Sequence, residues 1–492
     1  MKLKKIIKNI STEKVIGNTS IEIDHITHDS RKVKNNTLFI CIEGFNTDGH
    51  IYIEEAINKG ASAIVVEKKP EKYHEKITYI KVNNSRKAMS YMAEAFYNNP
   101  LENLKLIGVT GTNGKTTTTY LIKAILDSAG YKTGLIGTIN NIIGSKKEPA
   151  GRTTPKSLEL YRLFARMIKN NVEIVVMEVS SHALDLERVT GMEFDITVFT
   201  NLSQDHLDYH KSFKNYLNAK CKLFQQTSQE GYSIINIDDK YSKEIISASA
   251  GHIYTYSHNN KNSDLIASDI KINTKSVSYK TNIFPGKITV NLSGSFNVYN
   301  SLAAIAVAEV MSISFEYIKY GLQNIKGVPG RFELIEEGQP FNIIVDYAHT
   351  PDGMENVLKT IQDFNYRKII IVFGCGGDRD RGKRAEMGKI AVKYGDHCIL
   401  TSDNPRSEKP IAIIRDIEDG IKELNKNANY TILANRRKAI YKAIKEAKIG
   451  DVIIIFGKGH ESYQVFADKT IHFDDREVAK EALNFYREGD DM

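Results

Sequence analysis

Gly108-Val109-Thr110-Gly111-Thr112-Asn113-Gly114-Lys115-Thr116-Thr117-Thr118 decides how this chain is read. An apolar run, Leu104 to Val109, leads into it, and a helical pattern, Thr117 to Ala129, leads out. Strand, glycine-rich loop and helix in that order are the context of a phosphate-binding loop. Glycines let backbone N–H groups close on phosphate oxygens, and a helix N-terminus adds partial positive charge. Lys115 is expected to reach the β- and γ-phosphates, and the Thr116 hydroxyl to hold Mg²⁺. Gly111, Thr112, Asn113, Gly114 and Thr117 are expected to complete the loop's contacts with a bound triphosphate. The common eight-residue form has glycine where Val109 stands, and here Gly108 falls one position early. The alternative is a turn whose glycines serve backbone geometry alone, but Lys-Thr directly after the last glycine has no task in such a turn.

Outward from the loop, strands and helices keep alternating. Thr133 to Thr138, Glu173 to Val179, Asp195 to Thr200 and Tyr232 to Ile237 read as strands, and Ser157 to Lys169 as a helix. Such alternation predicts a mostly parallel sheet with helices on both faces and ligands beyond the strands' C-terminal ends. Residues 1–97 read as a smaller α/β unit, with strands Thr37 to Ile42 and Ala63 to Val66 and a helix Tyr52 to Lys59 closed by Gly60. Its turn-rich loops, Asp29-Ser30-Arg31 and Gly44 to Gly49, suit either a ligand or simple turns. Asn98-Asn99-Pro100 reads as a linker, and Gly327 to Gly330 as a hinge. Beyond it, four apolar strands each end in a polar loop, at Asp346, Gly374, Asp403 and Gly457.

The expected fold is therefore α/β in three domains. A small N-terminal α/β domain (1–97) and a C-terminal Rossmann-like α/β domain (331–492) flank a central P-loop ATPase domain (98–330) with a mostly parallel sheet. A length of 492 residues agrees, at roughly 150 per domain. No apolar run reaches the roughly 18 residues of a membrane helix, and the apolar part of Met1 to Ile10 is too short for a secretory signal. Four cysteines (Cys41, Cys221, Cys375, Cys398) lack CxxC spacing, so reduced cytoplasmic thiols are expected. The net charge of +7 is spread along the chain and comes with no nucleic-acid motif, so it reads as solvated surface able to attract an acidic substrate.

Glu178 stands at the end of Ile174-Val175-Val176-Met177, where a carboxylate would complete a metal–phosphate set with Lys115 and Thr116. Its alternative is a strand-end charge facing water. His206 follows another strand and suits a ligand or a surface hydrogen-bonder. Lys220 falls beside the apolar face Phe213, Tyr216, Leu217, Leu223 and Phe224. Held there, its ammonium would lose a proton more readily than usual. Asp378, Arg379, Asp403, Arg406 and Glu461 sit on the C-terminal loops. They form either a pocket for a small substrate carrying ammonium and carboxylate groups or a surface salt-bridge network.

Ten stretches in one order resemble the Mur ligase family over essentially the whole chain. They are GTNGKTTT from Gly111, TTP from Thr153, MEVSSHAL from Met177, TNLSQDHLDYH from Thr200, NAKCKLF from Asn218, GRFE from Gly330, DYAHTPD from Asp346, FGCGGDRDRGKR from Phe373, DNPR from Asp403 and GKGHESYQ from Gly457. The resemblance implies a uridine-nucleotide domain, a central ATPase and an amino-acid domain. It implies that ATP phosphorylates the D-Glu carboxylate of UDP-N-acetylmuramoyl-L-Ala-D-Glu and that an incoming amine displaces phosphate, in cytoplasmic peptidoglycan precursor synthesis. By the same resemblance Thr116, Glu178, His206 and a carbamylated Lys220 serve Mg²⁺, while Asn300 and Arg331 lie by the nucleotide, as does His349. Ser30, Phe45, Asn46, Thr47, Thr153, Thr154, Ser180 and Arg188 match contacts to the UDP-muramoyl dipeptide. Leu186 and Arg152 depart from the glutamine and asparagine of some relatives. Arg379, Asp403, Asn404, Pro405, Arg406, Gly457 and Glu461 match the form selecting meso-diaminopimelate, with L-lysine as the alternative third residue. A folylpolyglutamate-type ligase, which lacks the uridine domain, is the more distant alternative. Small-molecule substrates are the expected partners, with no nucleic acid, no membrane insertion and a monomeric chain.

Overall fold

The computed structural model describes residues 1–45 and 47–488, with side chains to residue 485. Three main sheets and a two-stranded ribbon organise them.

The central sheet has eleven strands. Its parallel body runs, in spatial order, Thr133–Ile136, Ile174–Glu178, Lys105–Thr110, Phe194–Phe199, Thr227–Asn236, His252–Ser257 and Leu265–Ile272. The inner strands are continuous apolar runs because both faces are covered. Ile107 and Val109 face the helices Lys115–Ser128 and Phe296–Val310. Leu106, Val175 and Met177 face Ser157–Lys169 and Phe213–Phe224.

The helix after the loop starts at Lys115, earlier than the apolar pattern suggested, because Gly114 at φ +86° provides the left-handed cap. The strand expected from Tyr232 begins at Thr227. Ser228 to Glu230 carry no apolar signal, and Gly231 sits where a Cβ would strike the Asp195 carbonyl. Antiparallel strands extend both edges: Asn140–Ile143 and Lys146–Pro149 on one side, Val277–Thr281 and Lys287–Val290 on the other. One hairpin turns at Asn273, whose side chain accepts the N–H groups of Lys275 and Ser276.

The N-terminal sheet orders Lys14–Ile16, Thr78–Lys81, Ala61–Val66, Thr37–Ile40 and His25–Thr27, antiparallel only at the first pair. The C-terminal sheet orders Glu333–Ile335, Asn342–Asp346, Val452–Phe456, Ile369–Phe373, His397–Leu400 and Tyr430–Ile432, again antiparallel only at the first pair. Parallel pairing carries the polar loops after Asp346, Phe373, Leu400 and Phe456 to one edge.

That edge rests on a buried ion pair. Arg436 donates to both carboxylate oxygens of Asp475 at 2.7 and 2.6 Å and to the Phe456 carbonyl at 2.7 Å, and both side chains are fully buried. Removing one member strands a charge. Asp475→Ala is expected to cost about 3–5 kcal/mol in urea unfolding, and replacing both residues by apolar ones of similar volume to recover most of it. No helix among the described residues is long and apolar enough to cross a membrane.

Candidate active site

The loop after Lys105–Thr110 is shaped by contacts with its neighbours. Gly108 lies within the strand, where a Cβ would stand 2.7 Å from the Phe194 ring, and Val109 is a fully buried core residue. The displaced glycine therefore serves packing, and the phosphate loop proper is Gly111 to Gly114. A Cβ on Gly111 would strike the Thr200 hydroxyl, and one on Gly114 the Asn300 amide oxygen. Asn113 is pinned through its backbone: its N–H donates to Asn201 at 2.9 Å and its carbonyl accepts from Thr200 at 2.7 Å. Lys115 folds back over the loop, donating to the Gly111 and Thr112 carbonyls at 2.9 and 2.8 Å.

Parallel register sets Glu178 beside Val109 and Phe199 beside Thr110. Glu178 thus arrives next to the loop, wholly buried. Its carboxylate accepts from the Thr116 hydroxyl (3.0 Å), the Thr138 N–H (2.7 Å) and the Thr138 hydroxyl (2.9 Å). The reading of Glu178 as a water-facing charge is excluded. Thr138 reads in the sequence only as the end of a strand, whereas the strand stops at Ile136 and leaves Thr138 in the loop beyond it. Its hydroxyl also meets that of Thr153 at 3.1 Å.

Lys220 is deeper than its position beside the apolar face suggested, being 1% exposed. Its Nζ donates to the Gly111 carbonyl at 2.8 Å and lies 4.6 Å from the centre of the Tyr216 ring. Tyr216 in turn meets the Thr112 hydroxyl at 3.0 Å, which ties this helix to the phosphate loop. Burial, then the nearby Lys115 charge, pull the Lys220 pKa well below the usual lysine range. His206 adopts φ +55°, and its Nε2 lies 3.3 Å from Asp205. Burial lowers its pKa to about 4 against the pull of Asp205, so the imidazole is neutral and can ligate.

Among the described residues no three His, Cys, Asp or Glu side chains form a metal cage. What is present is one buried carboxylate beside a threonine hydroxyl, which fits Mg²⁺ held by few protein oxygens and completed by substrate phosphates. Lys220 fits carbamylation equally well, because its buried amine is readily neutral.

A cavity of about 520 Å³ joins Lys115, Thr116, Glu178 and His206 to the C-terminal sheet. The Arg331 guanidinium crosses it to donate to the Thr116 hydroxyl at 3.2 Å and stacks 4.3 Å from the Tyr347 ring. Asn300, Thr117 and His349 line the same space. Gly330, read as part of a hinge, is packed so closely that a Cβ would strike the His460 amide. A second depression of about 660 Å³ lies at the opposite end of the central sheet. Two of its acids are occupied there, Asp195 accepting from Leu106 N–H and Glu173 from Lys132 N–H at 2.7 and 2.8 Å.

The expected dipeptide contacts divide between two units. Thr154 accepts from Ser180 N–H at 3.0 Å and donates to the Glu178 carbonyl at 2.9 Å, while Arg188 donates to the Thr154 carbonyl at 2.8 Å. Burial, then Arg152 and Arg86, lower the Arg188 pKa to about 10. Ser30 and Thr47 sit on the N-terminal unit, where Ser30 is buried and donates to Glu55 at 3.2 Å and Thr47 meets the Tyr52 hydroxyl at 3.3 Å. Phe45 is 78% exposed, its ring edge-to-face with Tyr209 of the central unit at 5.9 Å between ring centres. Asn46 lies outside the described residues.

At the C-terminal edge the seven matched residues form one cluster. Asn404 donates to Glu461 at 2.8 Å, and Gln464 donates to the Asp403 carbonyl at 2.6 Å. A Cβ on Gly457 would stand 2.6 Å from Asp403 Oδ2, and one on Gly377 would strike the Pro405 carbonyl. Arg406, at φ +53°, donates to the Gly377 carbonyl at 2.7 Å, and Arg379 to the Asp378 carbonyl at 2.8 Å. Neither guanidinium forms an ion pair among the described residues, so the salt-bridge alternative fails for them. Glu461 is instead paired with Lys458, fully buried at 3.0 Å, which the sequence reading passed over.

Three family models match in order. "Mur ligase family, catalytic domain" covers 22–97, "Mur ligase middle domain" 109–308 and "Mur ligase, glutamate ligase domain" 330–459. A protein of Clostridium tetani (strain Massachusetts / E88) named UDP-N-acetylmuramoyl-L-alanyl-D-glutamate--2,6-diaminopimelate ligase is 50% identical over 491 residues, covering 98% of this chain and 99% of that protein. A Clostridium acetobutylicum protein with the same enzyme name, numbered 1, is 48% identical over 488 residues, covering 98% and 99%. A solved structure of an enzyme with that name superposes with a TM-score of 0.68 at 30% identity, covering 99% of both chains. With these matches running from the N-terminal sheet to the C-terminal one, the chain belongs to the Mur ligase family.

Proposed function

We propose that this chain is an ATP-dependent ligase that joins meso-2,6-diaminopimelate to the D-Glu carboxylate of UDP-N-acetylmuramoyl-L-Ala-D-Glu, forming the amide, ADP and phosphate. One observation carries the reading: Arg331 bonds Thr116 at 3.2 Å across a cavity that the phosphate loop shares with the amino-acid unit. ATP activation and amine attack thus have a common space.

A carboxylate resists attack by an amine at neutral pH. Transfer of the γ-phosphoryl group to its oxygen, with ADP leaving, turns it into an acyl phosphate. The amine then attacks the acyl carbon, phosphate leaves, and the ammonium proton passes to solvent. Lys115, freed from its two carbonyls, holds the γ-phosphate, and Asn300 and Arg331 orient the nucleotide. Thr154, Ser180 and Arg188 fix the dipeptide so that its carboxylate meets the phosphate in line. Thr116, Glu178, His206 and carbamylated Lys220 would hold Mg²⁺, which supplies charge neutralisation at the transferring phosphoryl group. Closure of the cavity shields the acyl phosphate from water.

Arg406 separates the candidate third residues. Its guanidinium, which has no carboxylate partner among the described residues, would grip the distal carboxylate of diaminopimelate and repel the bare distal ammonium of lysine. Ser30, Phe45, Asn46 and Thr47 would meet the uridine nucleotide. The presence of an N-terminal sheet argues against a folylpolyglutamate-type ligase. We infer further that the enzyme acts as a cytoplasmic monomer, where its four unpaired cysteines stay reduced.

A coupled ADP-release assay with the UDP-muramoyl dipeptide and a panel of amino acids tests the reading. Release is expected with meso-diaminopimelate and not with glutamate. Preferred use of L-lysine would overturn the choice of amino acid, and release only with a folate substrate plus glutamate would overturn the choice of acceptor.

A further inference from the structure

Asp352 opens the helix Pro351–Gln362, whose N-cap is Thr350. An aspartate in a first turn is ordinarily explained by the helix dipole alone. Here its Oδ2 leaves the helix and accepts from the Asn113 amide at 2.7 Å and the Ser203 hydroxyl at 3.0 Å. These donors lie on the loops after Lys105–Thr110 and Phe194–Phe199, so one carboxylate of the C-terminal unit closes a junction between two loops of the central unit. The Asn113 amide and the Ser203 hydroxyl are themselves 3.4 Å apart. Since the Asn113 backbone is already committed to Thr200 and Asn201, its side chain is the part left to report on the C-terminal unit. Lys115 lies just beyond one donor and His206 just beyond the other.

We propose that Asp352 is a positioning residue that docks the amino-acid unit onto the phosphate loop and sets the approach of the amine to the acyl phosphate. The inference rests on the ligase reading above. The docking concerns the second half of the reaction. Phosphoryl transfer draws on the central unit and on Arg331, at the very start of the C-terminal unit, whereas amine attack needs the rest of that unit in register.

The test compares two nucleophiles on the full-length protein. Hydroxylamine traps an acyl phosphate without using the amino-acid pocket, and meso-diaminopimelate requires it. Asp352→Ala is expected to slow ligation about 10- to 100-fold while leaving hydroxamate formation near the wild-type rate. Asp352→Glu, which keeps the acceptor, should restore part of the loss. In a double-mutant cycle, adding Asp352→Ala to Asn113→Ala should cost less than Asp352→Ala costs in the wild type, the remainder being the Ser203 contact. Parallel loss with both nucleophiles, or multiplying losses in the cycle, overturns the proposal. If Asp352→Ala does not fold, Asp352→Asn, which keeps the side chain's shape, is read in the same two assays. Absence of ligation by the wild-type chain would instead refute the ligase reading itself.

Discussion

Lys220→Ala lowers the ligation rate by at least about 100-fold, and a small carboxylate such as formate or acetate restores part of it. The expectation follows from where the amine lies. It is 1% exposed, shares the Gly111 carbonyl with Lys115, and is pulled well below the usual lysine pKa by burial and by that neighbour. A neutral amine adds to CO₂, forming an N–C bond and releasing a proton, and the product is an anion at the place where a cation is costly. A carbamate there can orient Mg²⁺ beside Glu178, which a lysine cannot. Alanine removes the carbamate and leaves a space that a free carboxylate can enter. Near-normal turnover by Lys220→Ala would end this account. Equal loss with no response to added carboxylate would show that Lys220 only packs against Tyr216.

Arg406→Ala raises the KM for diaminopimelate by about 100-fold, equivalent to about 2–3 kcal/mol for a charge-assisted pair, with little change in the KM for ATP. The guanidinium is held by backbone carbonyls, Gly377 at 2.7 Å, and by no carboxylate among the described residues. Its charge is therefore available to a ligand, and the left-handed backbone at φ +53° keeps it at a fixed angle. The same variant should accept L-lysine relatively better, because the repulsion of a bare distal ammonium is gone. Steady-state measurements with both amino acids check this. Equal rises in both KM values would make Arg406 a structural residue of the loop.

The sequence made some of this legible and hid the rest for physical reasons. The phosphate loop and Glu178 could be read because strand, loop and helix follow one another in the chain, and parallel pairing then brings the ends together. The DNPR and GKGHE loops were readable for the same reason. The depth of Lys220 was not, because it depends on Tyr216 meeting Thr112, a contact made across 104 residues. Asp352 was invisible as a link because its donors lie on another sheet. The strands at 265–290 went unread because they are short and interleave buried Leu265, Ala267, Val277, Tyr279, Ile288 and Val290 with polar residues, so no continuous apolar run marks them. Lys458 carried no signal in the sequence because its partners, Glu461 and Asn404 at 3.0 and 3.3 Å, are assembled from two separate loops.

The carbonyl of Gly111 receives both Lys115 and Lys220. Two cations on one acceptor are not independent. Removing the Lys115 charge, as in Lys115→Met, raises the proton affinity of Lys220 and so depletes the neutral amine that must react with CO₂. That variant therefore carries two lesions, a lost phosphate contact and an impaired modification, although only one charged group has been deleted. The losses measured singly at the two lysines add up to more than the loss of both together, and the proper unit for assigning free energy here is the pair.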